Sequence, residues 1–267
     1  MKFQIDHDYH IHSYLTPCAG HPPAQNTETF LAYAKANGLK HLCITDHFWD
    51  SENVPPMETA WFKKYDYPYI RQILPFPEDA ECRMHLGCET DMDMFFTVGV
   101  SEKLYDKLEF ILVATSHLHG RRWTISPDNV TVADRASLYM ERNHKLLDMD
   151  LPFHKVGIAH FTCDLMQYKC EGTYVDILNH ITDTEYRDFF SRAAKKGVGI
   201  ELNTYAHEAS NEAIMRPYRI AKDCGCKFFL GSDAHAPEGF HDAMERFSAL
   251  INALDLTEED KFRPFGE

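Results

Sequence analysis

The sequence predicts an α/β protein in which parallel strands alternate with helices and close into a barrel. Three observations favour this fold class. Short apolar runs alternate with amphipathic stretches along the chain, a pattern typical of parallel sheets with right-handed crossovers. Seven such units fit into 267 residues, which favours a closed barrel over an open sheet. Finally, histidines and acids follow the apolar runs at the same relative position, as expected when the strand ends share one face.

Each strand is predicted from a short apolar run bounded by polar or turn residues. The predicted strands cover residues 3–10, 39–45, 84–89, 110–116, 156–160, 198–203 and 228–232. Helices are predicted where apolar residues recur at helical spacing. They cover residues 27–37, 101–108, 134–149, 184–196, 208–223 and 240–254. Gly38, Gly197 and Gly225 follow three of these segments and are in position to end them.

The predicted domain organisation is a single domain over residues 1–267, because no linker or internal repeat divides the chain. One segment departs from the strand–helix pattern. Residues 48–83 are irregular and rich in aromatic residues and prolines. A long segment of this kind is either a surface excursion with its own small core or a lid over a functional site. Both interpretations stay open from the sequence.

The composition narrows the classes of partner. A formal net charge of -14 argues against a broad surface for nucleic acids or anionic membranes. No window approaches about 18 continuous apolar residues, and the N-terminal residues are polar where a signal peptide would be apolar. The eight cysteines include no C-x-x-C pair, which fits reduced thiols better than a disulfide framework. We therefore expect a cytoplasmic protein without membrane or nucleic-acid partners.

The stretch DYHIHS, residues 8–13, places two histidines two positions apart near the end of the first predicted strand. Side chains two apart on a strand point to the same side, roughly 6.6 Å apart along the chain. His10 and His12 can therefore direct two nitrogens at one point. A single pair of this kind is more often hydrogen-bonded or exposed, so the interpretation depends on whether further ligands reach the same place.

Further candidate ligands stand at the ends of the other predicted strands. They are Asp46 and His47, Glu89, His117 with His119 two residues on, His160, Glu201, and Asp233 with His235. The carboxyl ends of parallel strands meet on one face, so these groups converge. Imidazoles and carboxylates suit zinc, manganese or iron, and their number exceeds the three or four protein ligands of one zinc ion. We therefore expect two or three divalent metal ions, with some carboxylate bridging.

Other polar residues have weaker claims to the site. The histidines without a strand-end position are interpreted as structural or surface residues, namely His7, His41, His85, His144, His154, His180, His207 and His241. Glu201 is either a ligand or a buried group that orients a ligand histidine, and Asp46 has the same two interpretations.

The motifs resemble those of the polymerase-and-histidinol-phosphatase (PHP) family of metal-dependent phosphoesterases. That family begins with D-x-H-x-H, here DYHIH at residues 8–12, followed by I-T-D-H, here residues 44–47. An acidic third strand, single histidines on the next two strands and a terminal D-x-H follow in order, here Glu89, His117, His160 and Asp233 with His235. The resemblance implies a distorted (β/α)7 barrel, TIM-barrel-like, that holds up to three metals.

The resemblance also implies an assignment of ligands. It places His10, His12, Glu89 and Asp233 on one metal, Glu89, His117 and His160 on a second, and His47 and His235 on a third. Some family members carry a further histidine where this chain has Cys18, and His21 lies three residues later. Either Cys18 or His21 completes the third site, and we favour His21 because its loop is short and contains Gly20.

The predicted function is metal-dependent hydrolysis of phosphate esters, in which a metal-bound hydroxide attacks phosphorus at a two- or three-metal site. The candidate catalytic residues are Glu89, Asp233 and His235. Arg121 and Arg122, just after SHLHG, are the candidate groups that bind the phosphate of a small phosphorylated substrate.

Three other functions share parts of this pattern. TatD-like deoxyribonucleases and amidohydrolases also begin with H-x-H on the first strand, but amidohydrolases often use a lysine on the fourth strand, where this chain has His117. A non-catalytic metal-binding module is the third alternative, and the nearly complete ligand set argues against it. The I-T-D-H motif and the terminal D-x-H favour the phosphoesterase interpretation.

Overall fold

Eight parallel strands form the sheet in the computed structural model, which describes residues 1–16, 18, 23–203 and 209–266. The strands are β1 (His7–Ile11), β2 (His41–Ile44), β3 (His47–Phe48), β4 (Arg83–Asp91), β5 (Phe110–Ala114), β6 (Val156–Ile158), β7 (Gly199–Asn203) and β8 (Lys227–Gly231). Seven of them neighbour one another in the order β1, β2, β4, β5, β6, β7, β8. The two-residue β3 pairs with β4, beyond the end of β2.

The sheet closes on itself past the end of β8. The backbone N–H of Asp233 donates to the His10 carbonyl at 2.7 Å, and the N–H of His12 donates to the Ala234 carbonyl at 3.1 Å. These bonds join the ends of β8 and β1, so the carboxyl ends of the strands surround one mouth. The TIM-barrel-like α/β fold predicted from the sequence is confirmed.

Helices lie between most of the successive strands, and one more follows β8. They are α1 (Thr27–Asn37), α2 (Tyr67–Ile70), α3 (Val132–Asp148), α4 (Tyr174–His180), α5 (Asp183–Lys196), α6 (Glu212–Asp223) and α7 (Ala243–Ala253). The Asn26 side chain accepts from the first turn of α1, and Gly38, at φ 68°, ends this helix in the left-handed region. In the described part of the chain, no helix has the length and apolar character needed to cross a membrane.

The helices of the structure differ from the predicted ones at three places outside residues 48–83. The helix predicted at residues 101–108 is wrong, because only a short 3-10 turn, Glu102–Leu104, forms there. The short α4 was not predicted, although Thr173 and Asp176 form a capping box at its start. The helix predicted at 208–223 begins at Glu212, and residue 208 lies outside the described residues. The assignment of residues 1–267 to one domain with a lid at 48–83 stays a prediction.

The C-terminal tail, residues 257–266, seals the floor of the barrel opposite the mouth. Phe262 packs among rings from the strands, including Phe110 and Phe229, and its N–H donates to the Phe228 carbonyl at 2.7 Å. The Lys261 ammonium lies 3.0 Å from both carboxylate oxygens of Asp6. An apolar plug therefore closes one end of the barrel and leaves the other end for polar side chains.

Candidate metal centre

A cavity of about 900 Å³ opens at the mouth of the barrel. Strand-end residues on its wall are His47, Glu89, His117, His160, Asp233 and His235. Residues 48–83 contribute Trp61, Phe62 and Tyr65 to the wall. Cys18 and His119 lie on it as well, as does Arg246 of α7. The cavity thus combines ionisable side chains at its base with an aromatic side.

Three groups of side chains in this mouth have the composition of metal sites. The first group is His10, His12 and Glu89, the second is Glu89, His117 and His160, and the third is His12, His47 and His235. Within each group the candidate ligand atoms lie within 4.8 Å of one another. Glu89 and His12 each belong to two groups, so the groups are contiguous. The structure thus brings together strand-end residues that the sequence singled out.

Asp233 adds a carboxylate to the first group. Its Oδ1 atom lies 3.4 Å from His10 Nε2 and 3.2 Å from His12 Nε2. Burial alone would raise the pKa of Asp233, but the neighbouring His10 and His12 outweigh burial and hold that pKa well below the usual range. Asp233 therefore stays ionised at neutral pH, as a ligand of a cation must.

Glu89 lies at the centre of the three groups. Its Oε2 atom is 2.8 Å from His47 Nδ1, and its Oε1 atom is 2.9 Å from His160 Nε2. His47 reaches this position because it is the partner of Glu89 in the β3–β4 pair. Burial alone would raise the pKa of Glu89, but His47 and His10 outweigh burial and hold that pKa well below its usual value. An ionised carboxylate whose two oxygens face different groups has the arrangement of a bridging ligand.

Most of the candidate ligand histidines are held through Nδ1. The partners are Glu201 for His10 at 2.7 Å, Thr16 for His12 at 3.2 Å, Asp91 for His117 at 2.8 Å, Ser116 for His160 at 2.7 Å, and the Asp233 carbonyl for His235 at 2.9 Å. Such contacts fix the orientation of each ring and leave Nε2 available to a metal. The rings are therefore oriented before any cation binds.

Glu201 is buried and orients His10. Its carboxylate accepts from His10 Nδ1 at 2.7 Å and from the backbone N–H of His160. A Cβ atom on Gly231 would lie 1.9 Å from Glu201 Oε1, so only glycine at position 231 leaves room for this contact. Asp46 instead accepts from the backbone N–H of Ser13 at 2.7 Å and from its hydroxyl, which holds the chain after β1.

The charge distribution of the mouth fits a metal ion. Burial lowers the pKa of His10, but the carboxylates of Asp233 and Glu201 outweigh burial and raise that pKa well above the usual value. The surroundings therefore favour a positive charge, which a divalent cation supplies as a proton does. His47 Nδ1 is buried and makes no hydrogen bond to a described residue. This histidine and carboxylate donor set is one that zinc, manganese and iron accept.

Two candidate ligands have strained backbones. His160 has φ 28° and Asp233 has φ 56°, in the region that non-glycine residues rarely adopt. Each such residue costs on the order of 1–3 kcal/mol. The Asp233 backbone also donates to the His10 carbonyl and accepts from His235. The strained conformation therefore positions the strand closure and a ligand histidine together.

The two arginines predicted to bind phosphate lie away from this cavity. Arg121 and Arg122 line a smaller pocket of about 320 Å³ with Pro127, whose carbonyl accepts from Arg121 Nη2 at 2.9 Å. The reason is a tight turn, in which the Gly120 carbonyl accepts from the N–H groups of the residues at 123 and 124. The basic side chain found on the wall of the mouth cavity is that of Arg246, which the sequence reasoning missed.

Of the two candidates for the third site, only Cys18 is among the described residues. His21 lies outside the described residues. The Cys18 thiol lies on the cavity wall, where burial raises its pKa but His235 and His47 outweigh burial and lower that pKa to about 6. The sequence reasoning also missed the side chains that hold the histidines, although Asp91 follows Glu89 by two residues on β4 and Ser116 directly precedes His117.

Comparison with known proteins found a relative of similar sequence and solved structures of similar fold. The chain is 25% identical over 236 residues to a probable phosphatase of Caldicellulosiruptor saccharolyticus. The aligned region covers 86% of this chain and 80% of that protein. A scan against protein-family models found no match. The sequence likeness therefore extends over most of both chains at low identity.

Two solved structures share the fold. One is a histidinol phosphate phosphatase from Lactococcus lactis in complex with zinc, L-histidinol and phosphate, with a TM-score of 0.60, 14% identity, and coverage of 97% of this chain and 98% of that chain. The other is a candidate histidinol phosphatase from Listeria monocytogenes, with a TM-score of 0.62, 14% identity, and coverage of 90% and 99%. These likenesses show that the chain shares the fold of both structures.

Proposed function

We propose that this chain is a metal-dependent phosphoesterase of the PHP family and acts as a phosphatase. The observation that carries the proposal is the set of three contiguous groups of histidines and Glu89 at the barrel mouth. The likeness of nearly the whole chain to a histidinol phosphate phosphatase that binds zinc and phosphate supports it. The likeness to a probable phosphatase supports the same reaction class.

The site would hold two or three divalent cations, with zinc, manganese or iron as the candidates. The proposed ligands are His10, His12, Glu89 and Asp233 for the first cation, Glu89, His117 and His160 for the second, and His47 and His235 for the third. When bound, such cations would bind phosphoryl oxygens and lower the pKa of water toward neutrality.

The proposed catalytic residues are Glu89, Asp233 and His235. The first two carry the negative charge that retains cations in a buried site, because neighbouring histidines keep both carboxylates ionised. The side chain of His235 is 32% exposed, whereas those of the other candidate ligand histidines are at most 7% exposed. His235 is therefore the ligand histidine that an entering substrate meets first.

The proposed substrate is a small phosphorylated compound. Trp61 and Phe62 form an apolar side of the cavity, and Glu238 with Asp242 places negative charge near Arg246. These surroundings suit a phosphate ester whose remaining part is apolar and carries a positive charge. Histidinol phosphate has this chemistry and is the first candidate, while Arg246 replaces Arg121 and Arg122 as the proposed group that meets the phosphate.

The test is a substrate panel on metal-reconstituted protein. The purified protein is stripped with a chelator, reloaded separately with zinc, manganese or ferrous iron, and assayed with phosphomonoesters and phosphodiesters. We expect at least two metal equivalents per chain by elemental analysis and phosphate release only from reloaded protein. Metal binding should weaken at acid pH, because the ligand histidines must lose their protons to bind. Protein that takes up metal and releases phosphate from no substrate would overturn the proposal.

A further inference from the structure

The third group, His12, His47 and His235, differs from the other two in its charge. Its three members are all imidazoles, whereas Glu89 belongs to both of the other groups. The His12 ring stacks on the His235 ring with centroids 4.0 Å apart, and the His12 and His47 centroids are 4.7 Å apart. Because Thr16 holds His12 Nδ1 and the first cation would take His12 Nε2, a cation held here by His47 and His235 would have two neutral protein ligands and room for others.

Cys18 stands beside this group. The Thr16 hydroxyl lies 3.2 Å from His12 Nδ1 and 3.7 Å from Cys18 Sγ, so one side chain contacts both residues. The thiol also lines the mouth cavity together with His235 and His47. Of the eight cysteines, Cys18 alone is exposed, and the other seven are buried or partly buried.

One nitrogen of this group is buried and has no hydrogen-bond partner among the described residues. His47 is only 6% exposed, and its Nδ1 atom makes no hydrogen bond to a described residue. That atom lies 2.8 Å from Glu89 Oε2, but in a geometry that forms no hydrogen bond. A buried imidazole nitrogen without a hydrogen bond costs free energy, which a bound cation would remove.

We propose that Cys18 binds the cation of the third group as a thiolate, together with His47 and His235. On binding, the thiol loses its proton to water and the sulfur forms the third protein bond to the metal. A thiolate is a soft ligand, so this site takes zinc, or cobalt as its substitute, in preference to manganese. The inference rests on the proposed metal-dependent function and assigns this chain a site with mixed histidine and thiolate ligands.

The first test is differential alkylation of the full-length protein. Iodoacetamide is added to metal-free protein and to protein loaded with zinc, and the modified cysteines are identified by peptide mass spectrometry. We expect rapid modification of Cys18 in the metal-free protein and strong protection in the zinc-loaded protein. Cys170 and Cys224, which are partly buried and outside the mouth, serve as internal controls and should react equally in both samples. Equal modification of Cys18 with and without zinc would overturn the proposal.

The second test distinguishes a metal–sulfur bond from simple coverage of the thiol. Protein loaded with cobalt should show a thiolate-to-cobalt charge-transfer band in the near ultraviolet, and C18S should lack this band and bind about one metal equivalent less. C170S, the matched control, should retain both the band and the stoichiometry. Protection of Cys18 without a band, or an unchanged stoichiometry in C18S, would contradict the proposal. Loss of an equivalent in H21A but not in C18S would assign the ligand to His21 instead.

These readouts are separate from catalysis. If the substrate panel shows no phosphatase activity while the cobalt band is present in wild-type protein and absent in C18S, the proposed function fails and the Cys18 ligand stands. If the enzyme is an active phosphatase with no such band, the proposed function stands and the Cys18 assignment fails.

Discussion

Among the single residues, Glu89 makes the largest predicted contribution to activity. Glu89→Gln keeps the size of the side chain but replaces the proposed bridging carboxylate with a neutral amide. We expect phosphatase activity to fall by more than about 100-fold, because even groups that only support metal ligands contribute 10–100-fold. The measurement is kcat/KM together with metal content. His144→Gln is the control, because His144 contacts Arg192 on the outer helices and should matter little. Equal losses in both variants would show that the wrong residues were assigned.

Glu201 offers a separate prediction about orientation. Glu201→Gln removes the charge that holds His10 Nδ1 while the shape is preserved. We expect metal affinity to fall by about 10- to 100-fold with the fold retained, measured by competition with a chelator and by circular dichroism. Glu212→Gln, at an exposed acid of α6 paired with Arg219, is the matched control and should leave affinity unchanged. Wild-type affinity in folded Glu201→Gln would remove the orienting role.

The candidate ligands could be predicted because strand topology controls their position. Glu89, His117 and His160 each follow an apolar run, and parallel pairing brings the ends of such runs together whatever the loops do. Arg121 and Arg122 could not be placed in this way, because a turn after His119 sets their direction. Arg246 belongs to a surface helix, and no local pattern in the sequence shows that this helix borders the mouth.

Among the elements, residues 48–83 combine features of both interpretations that the sequence left open, a surface excursion with its own small core and a lid. The Phe62 ring stacks on the His47 ring, with centroids 4.1 Å apart and planes 8° apart. Trp49, Ala60, Phe62 and Trp123 form a small separate core, so the segment has packing of its own. The segment is therefore both a packed unit and a wall of the cavity. The sequence shows that the segment is rich in aromatic residues. It does not show which way their side chains point, because this depends on packing against Trp123, which is distant in the sequence.

Trp61 tests the role of this wall in substrate binding. The residue is 50% exposed and lines the cavity, so Trp61→Ala should be tolerated by the fold. We expect KM to rise roughly 2- to 10-fold with a smaller change in kcat, from the loss of an aromatic contact with the substrate. Tyr168→Ala is the control, since Tyr168 is similarly exposed, at 45%, and does not line the cavity. An unchanged KM in Trp61→Ala would place the substrate elsewhere.

For the whole molecule, the sealed floor predicts that stability and activity can be changed independently. Phe262 is 5% exposed and packs against rings of β5 and β8. Phe262→Ala should lower the free energy of unfolding by about 3–5 kcal/mol, measured by denaturant titration. The activity of the molecules that remain folded should be close to wild type, because the floor is opposite the mouth. Phe95→Ala, at a residue 68% exposed, should change the stability little. A strong loss of activity in folded Phe262→Ala would show that the two ends of the barrel are coupled.

The sharing of residues between the three groups affects how much metal a variant should lose when one ligand is replaced. Seven residues fill the nine ligand places of the three groups, because Glu89 and His12 are each counted twice. Loss of His160 or His235 would remove a ligand from one proposed cation, whereas loss of Glu89 would remove a ligand from two. Variants that lack a single histidine ligand should therefore still bind part of the metal, and Glu89 variants should lose the most.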